Sequence, residues 1–504
     1  MEIASRLRLA REYEKKIAGN NLAFQKFEFE KDNGRRPYFH MTPLVGWTND
    51  PNGFSYYDGR YHLFYQYNPY ECKWGPMHWG HVVTDDFIHW QYKPTAMAPD
   101  KDYDSFGCFS GTAVTDGEEH ILMYTSVREI DDCNGGKLIR QEQSIAVGNG
   151  ENYKKLESNP IITAECLPND FSKEDFRDPK IWKIDQYFYA IIANRHSDES
   201  GQLLLFRAEN LNKWEYLGVL AHEGGKYGKM WECPDIFRLE DKDVIIFSPQ
   251  DMEENPPYWH AGNCTMYWIG NLDYQNVSYN IDSVYPIDYG TDFYAPQTCK
   301  TPDGRIVMIA WMKSWDMPVE IANQTWSGMM CLPRELSLQN GRLIQSPVRE
   351  LDSIENKIYC KKGISINTEN KKLLSELSDI NSRCLDIKMK IYRSDYKQLT
   401  LSLAENENYR TTITHSVSEG KIILDRSRSG LRRDFVMRRE MPLQANVDVL
   451  DLRIILDRHS VEIFAEGGLG VMTCLIPTPD EAKGISIYSD GEAVFDLEIY
   501  QICP

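Results

Sequence analysis

The sequence is short of basic residues and has no long apolar run. Its 56 Lys and Arg are outnumbered by 75 Asp and Glu, which gives a formal net charge of −19. Phosphate groups would be repelled by this charge, so we expect neither nucleic acid nor an anionic membrane surface as a partner. No stretch reaches the roughly 18 apolar residues of a membrane-spanning helix. The composition therefore favours a neutral small molecule as the ligand.

Cysteine pairs of the CxxC type are missing as well. The 12 cysteines lie singly along the chain and form no cluster with histidine, so neither a zinc site nor a redox couple is expected. We predict no metal and no cofactor, and reduced thiols. The first residues carry mixed charge instead of the apolar core of a signal peptide. A cytoplasmic protein is the expectation.

The length of 504 residues predicts more than one domain. Charged and apolar residues alternate at helical spacing up to Ala18, and Gly19-Asn20-Asn21 follows as a stop signal. Residues 1–34 are therefore predicted to be a helical extension. Beyond them, short runs rich in Val, Ile, Tyr, Phe and Trp alternate with turn pairs such as Asp-Gly, a pattern typical of antiparallel hairpins.

An apolar strand recurs about every 60 residues. These strands begin at Tyr61, His120, Tyr187, Val244 and Ile306. Each interval has room for four strands, which predicts a five-bladed β-propeller over residues 35–346; the period disfavours an irregular β-sandwich or two barrels. The 60-residue period ends after Pro347. Residues 347–358 are predicted to be a short helical linker, and residues 359–504 a β-sandwich, so the fold prediction is all-β apart from the N-terminal helix.

Three carboxylates, Asp50, Asp178 and Glu232, fall in the segments that precede these strands. The first strand of each blade lines the channel of a propeller, so the three should meet at one mouth of it. Hydrolysis of a glycoside needs two carboxyl groups, one to protonate the leaving oxygen and one to attack the sugar or activate water. Taken alone, each of these carboxylates could equally belong to a turn, to a surface ion pair or to a solvated side chain without a function. Their shared place in the repeat favours a site, with Arg177 as the ion partner of Asp178.

The segments that hold these carboxylates resemble the motifs of glycoside hydrolase family 32, the invertases, fructanases and sucrose-6-phosphate hydrolases. They are residues 47–53 (Trp-Thr-Asn-Asp-Pro-Asn-Gly), 176–179 (Phe-Arg-Asp-Pro) and 231–234 (Trp-Glu-Cys-Pro). Residues 332–336 and 456–464 agree with the family too, and the resemblance covers about residues 35 to 500. Thr48 departs from the family, which often has Met or Leu there.

The resemblance implies a retaining β-fructofuranosidase that acts on sucrose, sucrose 6-phosphate or short fructo-oligosaccharides. Asp50 would attack the fructosyl carbon, Glu232 would serve as acid and then base, and Asp178 would stabilise the transition state. The substrate-binding residues that it implies are Asn49, Gln66, Trp74, Phe109, Ser110, Arg177, Tyr294 and Trp311.

Three other functions stay open at this point: a fructosyltransferase, an inverting furanosidase of a related propeller family, and a carbohydrate-binding propeller without activity. The presence of all three carboxylates disfavours the inactive protein, and the contexts of the motifs disfavour inversion. Transfer shares its covalent intermediate with hydrolysis, so the motifs do not separate the two. A homo-oligomer is equally open, since the sandwich could contact its own propeller or that of a partner.

Overall fold

The computed structural model describes residues 35–132, 135–317, 324–366, 375–431, 435–444 and 448–503. The predicted N-terminal helix falls in residues 1–34, outside the described residues. Within the described ranges the chain contains no α-helix, only short 3-10 helices between β-strands. No helix in this part of the chain is long and apolar enough to cross a membrane. The all-β prediction is confirmed.

Five antiparallel sheets of four strands follow one another along the described part of the chain. Blade one contains β1 (Gly46–Tyr57), β2 (Arg60–Asn68), β3 (His78–Thr84) and β4 (Gln91–Met97). Blade two contains β5 (Gly107–Asp116), β6 (Glu119–Asp131), β7 (Lys137–Gly148) and β8 (Tyr153–Lys155). Blade three contains β9 (Phe171–Ile184), β10 (Tyr187–His196), β11 (Gly201–Asn210) and β12 (Lys213–His222). Blade four contains β13 (Met230–Leu239), β14 (Lys242–Gln250), β15 (Met266–Asp273) and β16 (Ser278–Pro286).

Blade five closes the ring. It contains β17 (Tyr294–Lys300), β18 (Ile306–Trp311), β20 (Arg334–Gln339) and β21 (Arg342–Pro347). Between them, the short β19 (Trp326–Ser327) reaches over to blade one and pairs in parallel with Gly46 and Trp47 of β1. The first strands of the blades contact one another in a ring: β1 contacts β5, β5 contacts β9, β9 contacts β13, β13 contacts β17, and β17 contacts β1. The predicted propeller is confirmed, and the repeated apolar strands are the second strand of each blade.

Every first strand carries one extra residue relative to the second strand of its blade, a β-bulge. In four blades the bulge contains or borders a proline, which has no N–H for the ladder. These prolines are Pro51, Pro179, Pro234 and Pro296. The bulges break the alternation of side chains, so that in blades one, two and three two successive residues line the same pocket: Asn49-Asp50, Phe109-Ser110 and Arg177-Asp178.

The second domain consists of two antiparallel sheets. One has the order β22 (Glu355–Ile366), β32 (Ala493–Ile502), β23 (Leu385–Tyr392), β28 (Val449–Asp457), β29 (Ser460–Ala465) and β30 (Gly470–Leu475). The other has the order β27 (Arg438–Pro442), β26 (Lys421–Arg428), β25 (Arg410–Ser416), β24 (Gln398–Glu405) and β31 (Gly484–Ser489). Their inner faces enclose one aliphatic core, as expected of a β-sandwich.

Short 3-10 helices connect some of the strands; in the described residues they are Asp102–Asp104, Ala164–Cys166, Arg349–Ile354, Ser375–Asp379 and Glu466–Gly468. Arg349–Ile354 follows the last propeller strand and lies in the segment proposed as the linker. We keep the proposed division of the chain, except that the first sandwich strand already begins at Glu355, before the proposed end of the linker at residue 358.

A buried chain of charges joins the two domains. His40, from the propeller side, lies between Asp457 and Glu462 of the sandwich, at 2.7 and 2.8 Å. Glu462 also binds Arg334 of blade five at 2.7 Å. Burial opposes a charged imidazole, but the hydrogen bonds and charges of the two carboxylates outweigh it and raise the pKa of His40 to about 9. The interface is therefore ionic at its centre.

A second buried ion pair lies at the same interface. Arg426 of the sandwich donates to Asp292, just ahead of blade five, at 2.6 Å, and both side chains are fully buried. The backbone N–H of Leu475 also donates to Asp292. The side chain of Asp292 thus binds the sandwich domain and does not reach the channel.

Candidate active site

The channel mouth holds a pocket of about 440 Å³. Nine of the eleven site residues predicted from the sequence line it: Asn49, Asp50, Gln66, Trp74, Phe109, Ser110, Arg177, Asp178 and Glu232. The other two, Tyr294 and Trp311, are fully buried behind its wall. The structure therefore brings the three carboxylates into one cavity.

The site residues of the first strands come as adjacent pairs at the bulges. In four blades the pair directly precedes the bulge proline: Asn49-Asp50, Arg177-Asp178, Glu232-Cys233 and Tyr294-Ala295. In blade two, Phe109-Ser110 precedes Gly111. Counted from the proline, Asp50 and Asp178 occupy equivalent positions, whereas Glu232 lies one residue earlier.

One oxygen of the Asp50 carboxylate accepts a hydrogen bond, and the other has no hydrogen-bond partner among the described residues. Ser110 donates to its Oδ2 at 2.7 Å, and the Cys233 thiol lies 3.4 Å from the same atom. Its Oδ1 is buried and has no hydrogen-bond partner of normal geometry among the described residues. Burial and the charge of Glu232 raise the pKa of Asp50 to about 6, against the hydrogen bond from Ser110. The bare oxygen is the one free to react.

Asp178 faces Asp50 across the Cys233 thiol. Its backbone takes a φ of 63°, which an aspartate tolerates better than most residues. This turns the carboxylate to the backbone N–H of Cys233, which donates to Oδ2 at 3.0 Å. Burial raises the pKa of Asp178; Arg177 opposes the shift, and the charges of Glu232 and Asp50 add to it.

Glu232 has donors on both oxygens. Arg177 lies 3.0 Å from its Oε1, and the Tyr294 hydroxyl donates to its Oε2 at 2.7 Å. Arg177 is 2.6 Å from Asp175 but 3.9 Å from Asp178. The predicted ion pair of Arg177 with Asp178 is present, yet the guanidinium is closer to two other carboxylates, because the backbone at Asp178 directs its side chain towards Cys233.

Aromatic side chains form two parts of the wall. Trp74, 40% exposed, meets Phe109 edge-on with ring centroids 5.9 Å apart. Trp315 also lines the pocket and stacks on Trp47, with ring centroids 6.5 Å apart. The indole N–H of Trp47 donates to Asn49 at 2.9 Å. Flat apolar faces next to amide and carboxyl groups suit a sugar ring, which has an apolar face and a rim of hydroxyls.

Sequence reasoning missed six residues of the pocket lining: Ile139, Gln141, Glu174, Asp175, Gln250 and Trp315. The repeat could have predicted Gln250. It is the last residue of the second strand of blade four, and Gln66 lies near the end of the second strand of blade one. Trp315 lies in a loop after β18 and has no counterpart in the other blades. Its place in the pocket depends on the stacking against Trp47.

Outside the pocket, His196, Asp198 and His222 are close enough to share a metal ion. They are at least partly exposed, and none of them lines the pocket. The chemistry that the pocket itself can perform is proton transfer and nucleophilic attack by carboxyl groups, with Arg177 to hold negative charge nearby.

Comparison with known families decides what kind of enzyme holds this site. The model of the glycosyl hydrolases family 32 N-terminal domain matches residues 40–347, and that of the family 32 C terminal matches residues 350–501. The chain belongs to glycosyl hydrolase family 32. It is therefore a glycoside hydrolase, and the resemblance seen in its motifs is confirmed over nearly the whole described chain.

Relatives in the family match most of the length of this chain. A raffinose invertase of Escherichia coli is 35% identical over 94% of this chain and 96% of its own. A sucrose-6-phosphate hydrolase of Escherichia coli is 36% identical, with the same coverage of 94% and 96%. The solved structure of a Bombyx mori β-fructofuranosidase variant in complex with sucrose has a TM-score of 0.81 and 32% identity, and the match covers 99% of both chains.

Proposed function

We propose that this protein is a retaining β-fructofuranosidase that hydrolyses the terminal β-D-fructofuranosyl bond of sucrose or of a closely related fructoside. The observation that carries the proposal is the convergence of three carboxyl groups in one pocket, with Asp50 presenting a bare, buried oxygen. Relatives named as an invertase and as a sucrose-6-phosphate hydrolase, and a neighbour solved with sucrose, support a fructosyl substrate.

In the first step, Oδ1 of Asp50 attacks the anomeric carbon of the fructosyl unit. Glu232 gives its proton to the glycosidic oxygen, and the bond to the leaving sugar breaks. Ser110 and Cys233 fix the other oxygen of Asp50, so the attacking oxygen points in one direction. Asp178 accepts hydrogen bonds from fructosyl hydroxyls and stabilises the positive charge that develops on the ring.

In the second step, Glu232 takes a proton from water, and the hydroxide attacks the same carbon. Fructose leaves, and Asp50 returns to its free carboxylate. Two displacements at one carbon retain its configuration. Arg177 and Tyr294 hold Glu232 in place during both proton transfers.

Substitution of the two carboxylates tests the proposal. We expect Asp50→Ala and Glu232→Ala to lower kcat on sucrose by orders of magnitude without a loss of fold, whereas Glu209→Gln, at an exposed carboxylate of blade three, should leave activity unchanged. Azide should restore turnover in the Glu232 variant and give a fructosyl azide of retained configuration. Near-normal activity in either alanine variant, or an azide product of inverted configuration, would overturn the assignment.

A further inference from the structure

A group of metal-ligating side chains lies on blade three, outside the active-site pocket. His196 is the last residue of β10, His222 is the last residue of β12, and Asp198 lies in the turn that follows β10. One ligand atom from each of the three residues lies within 4.8 Å of the other two. Their side chains are 22% to 45% exposed, so an ion can reach them from solvent.

The register of blade three explains why the two histidines meet. Gln202, near the start of β11, pairs with Asn194 of β10 on one side and with His222 of β12 on the other. Adjacent strands lie about 4.8 Å apart, so the backbones of β10 and β12 are about 10 Å apart. The imidazoles of His196 and His222 bridge this gap, with ring centroids 5.1 Å apart. The sequence did not predict the group, because His222 is distant from the other two residues along the chain.

The distances around Asp198 match those between two ligands of one tetrahedral ion. Oδ1 of Asp198 lies 3.0 Å from Nδ1 of His196, and Oδ2 lies 3.5 Å from Nε2 of His222. A zinc ion with bonds of about 2.0–2.1 Å holds its ligand atoms about 3.4 Å apart. Modest rotations of the side chains would therefore be enough for an ion to bind all three.

A second carboxylate orients His196 for this role. Nε2 of His196 lies 3.3 Å from Asp170, and Nδ1 accepts a hydrogen bond from the backbone N–H of Asp198 at 3.4 Å. A proton on Nε2 leaves the lone pair of Nδ1 for a metal ion, and a carboxylate behind a ligating imidazole is the usual partner at metal sites. The hydroxyl of the buried Ser200 lies 2.6 Å from Nε2 of His222, a contact that an ion on this nitrogen would replace.

We propose that His196, Asp198 and His222 form a binding site for a divalent transition-metal ion such as Zn²⁺. Imidazole nitrogens favour Zn²⁺, Cu²⁺, Ni²⁺ and Co²⁺ over Mg²⁺ and Ca²⁺, which prefer oxygen ligands. The bound ion joins the ends of β10 and β12 across β11 and so stabilises blade three. None of the three side chains lines the pocket, and the inference does not depend on the proposed function.

Cobalt binding to the full-length protein, freed of metal with a chelator, tests the site. Co²⁺ with four or five ligands absorbs visible light more strongly than hydrated Co²⁺, so the wild type should show this absorption, saturating at a single ion per chain. Zn²⁺ should abolish the signal, and excess Mg²⁺ should not. His222→Gln should weaken Co²⁺ binding at least about tenfold, and Asp198→Asn should weaken it as well. His89→Gln removes an exposed histidine that contacts one carboxylate and should bind like the wild type.

Thermal unfolding gives a second measure. Zn²⁺ should raise the thermal midpoint of the wild type and of His89→Gln, since an ion that binds only the folded state stabilises it. It should not raise the midpoint of His222→Gln or Asp198→Asn, whose circular dichroism spectra without metal should equal that of the wild type. No cobalt absorption in the wild type, a spectrum dominated by thiolate ligands, or equal binding by the His222 and Asp198 variants would overturn the proposal and leave an ion-pair network without metal.

Discussion

The hydroxyl of Tyr294 donates a hydrogen bond of 2.7 Å to Oε2 of Glu232. Tyr294 is fully buried and does not line the pocket, so it acts on the substrate only through Glu232. It is a positioning residue in blade five for a carboxylate in blade four.

Tyr294→Phe should therefore lower kcat about tenfold and leave KM nearly unchanged. The hydroxyl fixes the orientation of the carboxyl group that transfers the protons, and it does not line the pocket. Steady-state rates on sucrose measure kcat and KM. Tyr279→Phe removes another buried hydroxyl of blade four, which donates to the backbone, and should alter neither. An unchanged kcat in Tyr294→Phe would show that Tyr294 serves packing alone.

Asp50 should cost the protein stability at neutral pH. Its pKa in the folded protein is about 6, above the ordinary value of 3.8, so the folded state resists its ionisation. The free energy of unfolding then falls as the pH rises from about 4 to about 6 and stays lower above that range, by at most about 3 kcal/mol.

Asp50→Asn is thus expected to raise the thermal midpoint at pH 7, to have little effect at pH 4, and to abolish activity. Differential scanning calorimetry at the two pH values measures this difference. Asp185→Asn replaces an exposed carboxylate in a turn and is the control. If Asp50→Asn destabilised the protein equally at both pH values, packing would outweigh the charge.

The histidine between the domains should also make stability fall as the pH rises, but over a higher pH range. The pKa of His40 is raised to about 9, so its contribution is fully present below about pH 6.5 and is lost as the pH rises through about 9. The pKa values of Asp457 and Glu462 are lowered: burial opposes the change, but His40 outweighs it at Asp457, and Arg334 with His40 does so at Glu462. Their contribution is lost on acidification.

His40→Gln should lower the free energy of unfolding by about 3 kcal/mol at pH 7 and by clearly less at pH 10. Urea titrations at the two pH values, followed by Trp fluorescence, are the measurement. His89→Gln removes an exposed histidine that also contacts a carboxylate, Asp86, and should shift the midpoint little. A His40 variant with the same loss at both pH values would mean that the charge of the imidazole contributes nothing.

Trp315 should contribute to binding and not to the chemical step. It lines the pocket, is 36% exposed and stacks on Trp47, and its indole ring has no group that exchanges a proton near neutral pH. We expect Trp315→Ala to raise KM for sucrose about tenfold with kcat within about twofold. Tyr258→Ala, at a residue 41% exposed outside the pocket, is the matched control. A fall in kcat with unchanged KM would place Trp315 in the chemistry instead.

The fold could be predicted because the sequence repeats. Each second strand is a nearly continuous apolar run, buried on both faces, and such runs stand out at regular spacing. The period also placed Asp50 and Asp178 at equivalent positions. The period did not predict that Glu232 lies one residue earlier than the other two carboxylates. The position of a bulge in a strand depends on strand pairing and not on the local sequence.

The remaining parts of the site depend on contacts between distant segments. Trp315 comes from the loop after β18, and it lines the pocket while it stacks on Trp47 of blade one. Arg334 and Glu462 lie in segments that resembled the family, yet nothing in either segment says that they meet across the domain interface. Such contacts require the packing of whole sheets.

The ionic interface has a consequence for how this enzyme can be altered. Arg426 and Asp292 come from different domains and are both fully buried. A propeller produced without its sandwich would therefore expose to water an apolar and charged surface that is buried in the intact protein. Chimeras that exchange the sandwich between relatives should fold only when the partner charges are exchanged with it. The sandwich therefore has to be treated as part of the same folding unit as the propeller.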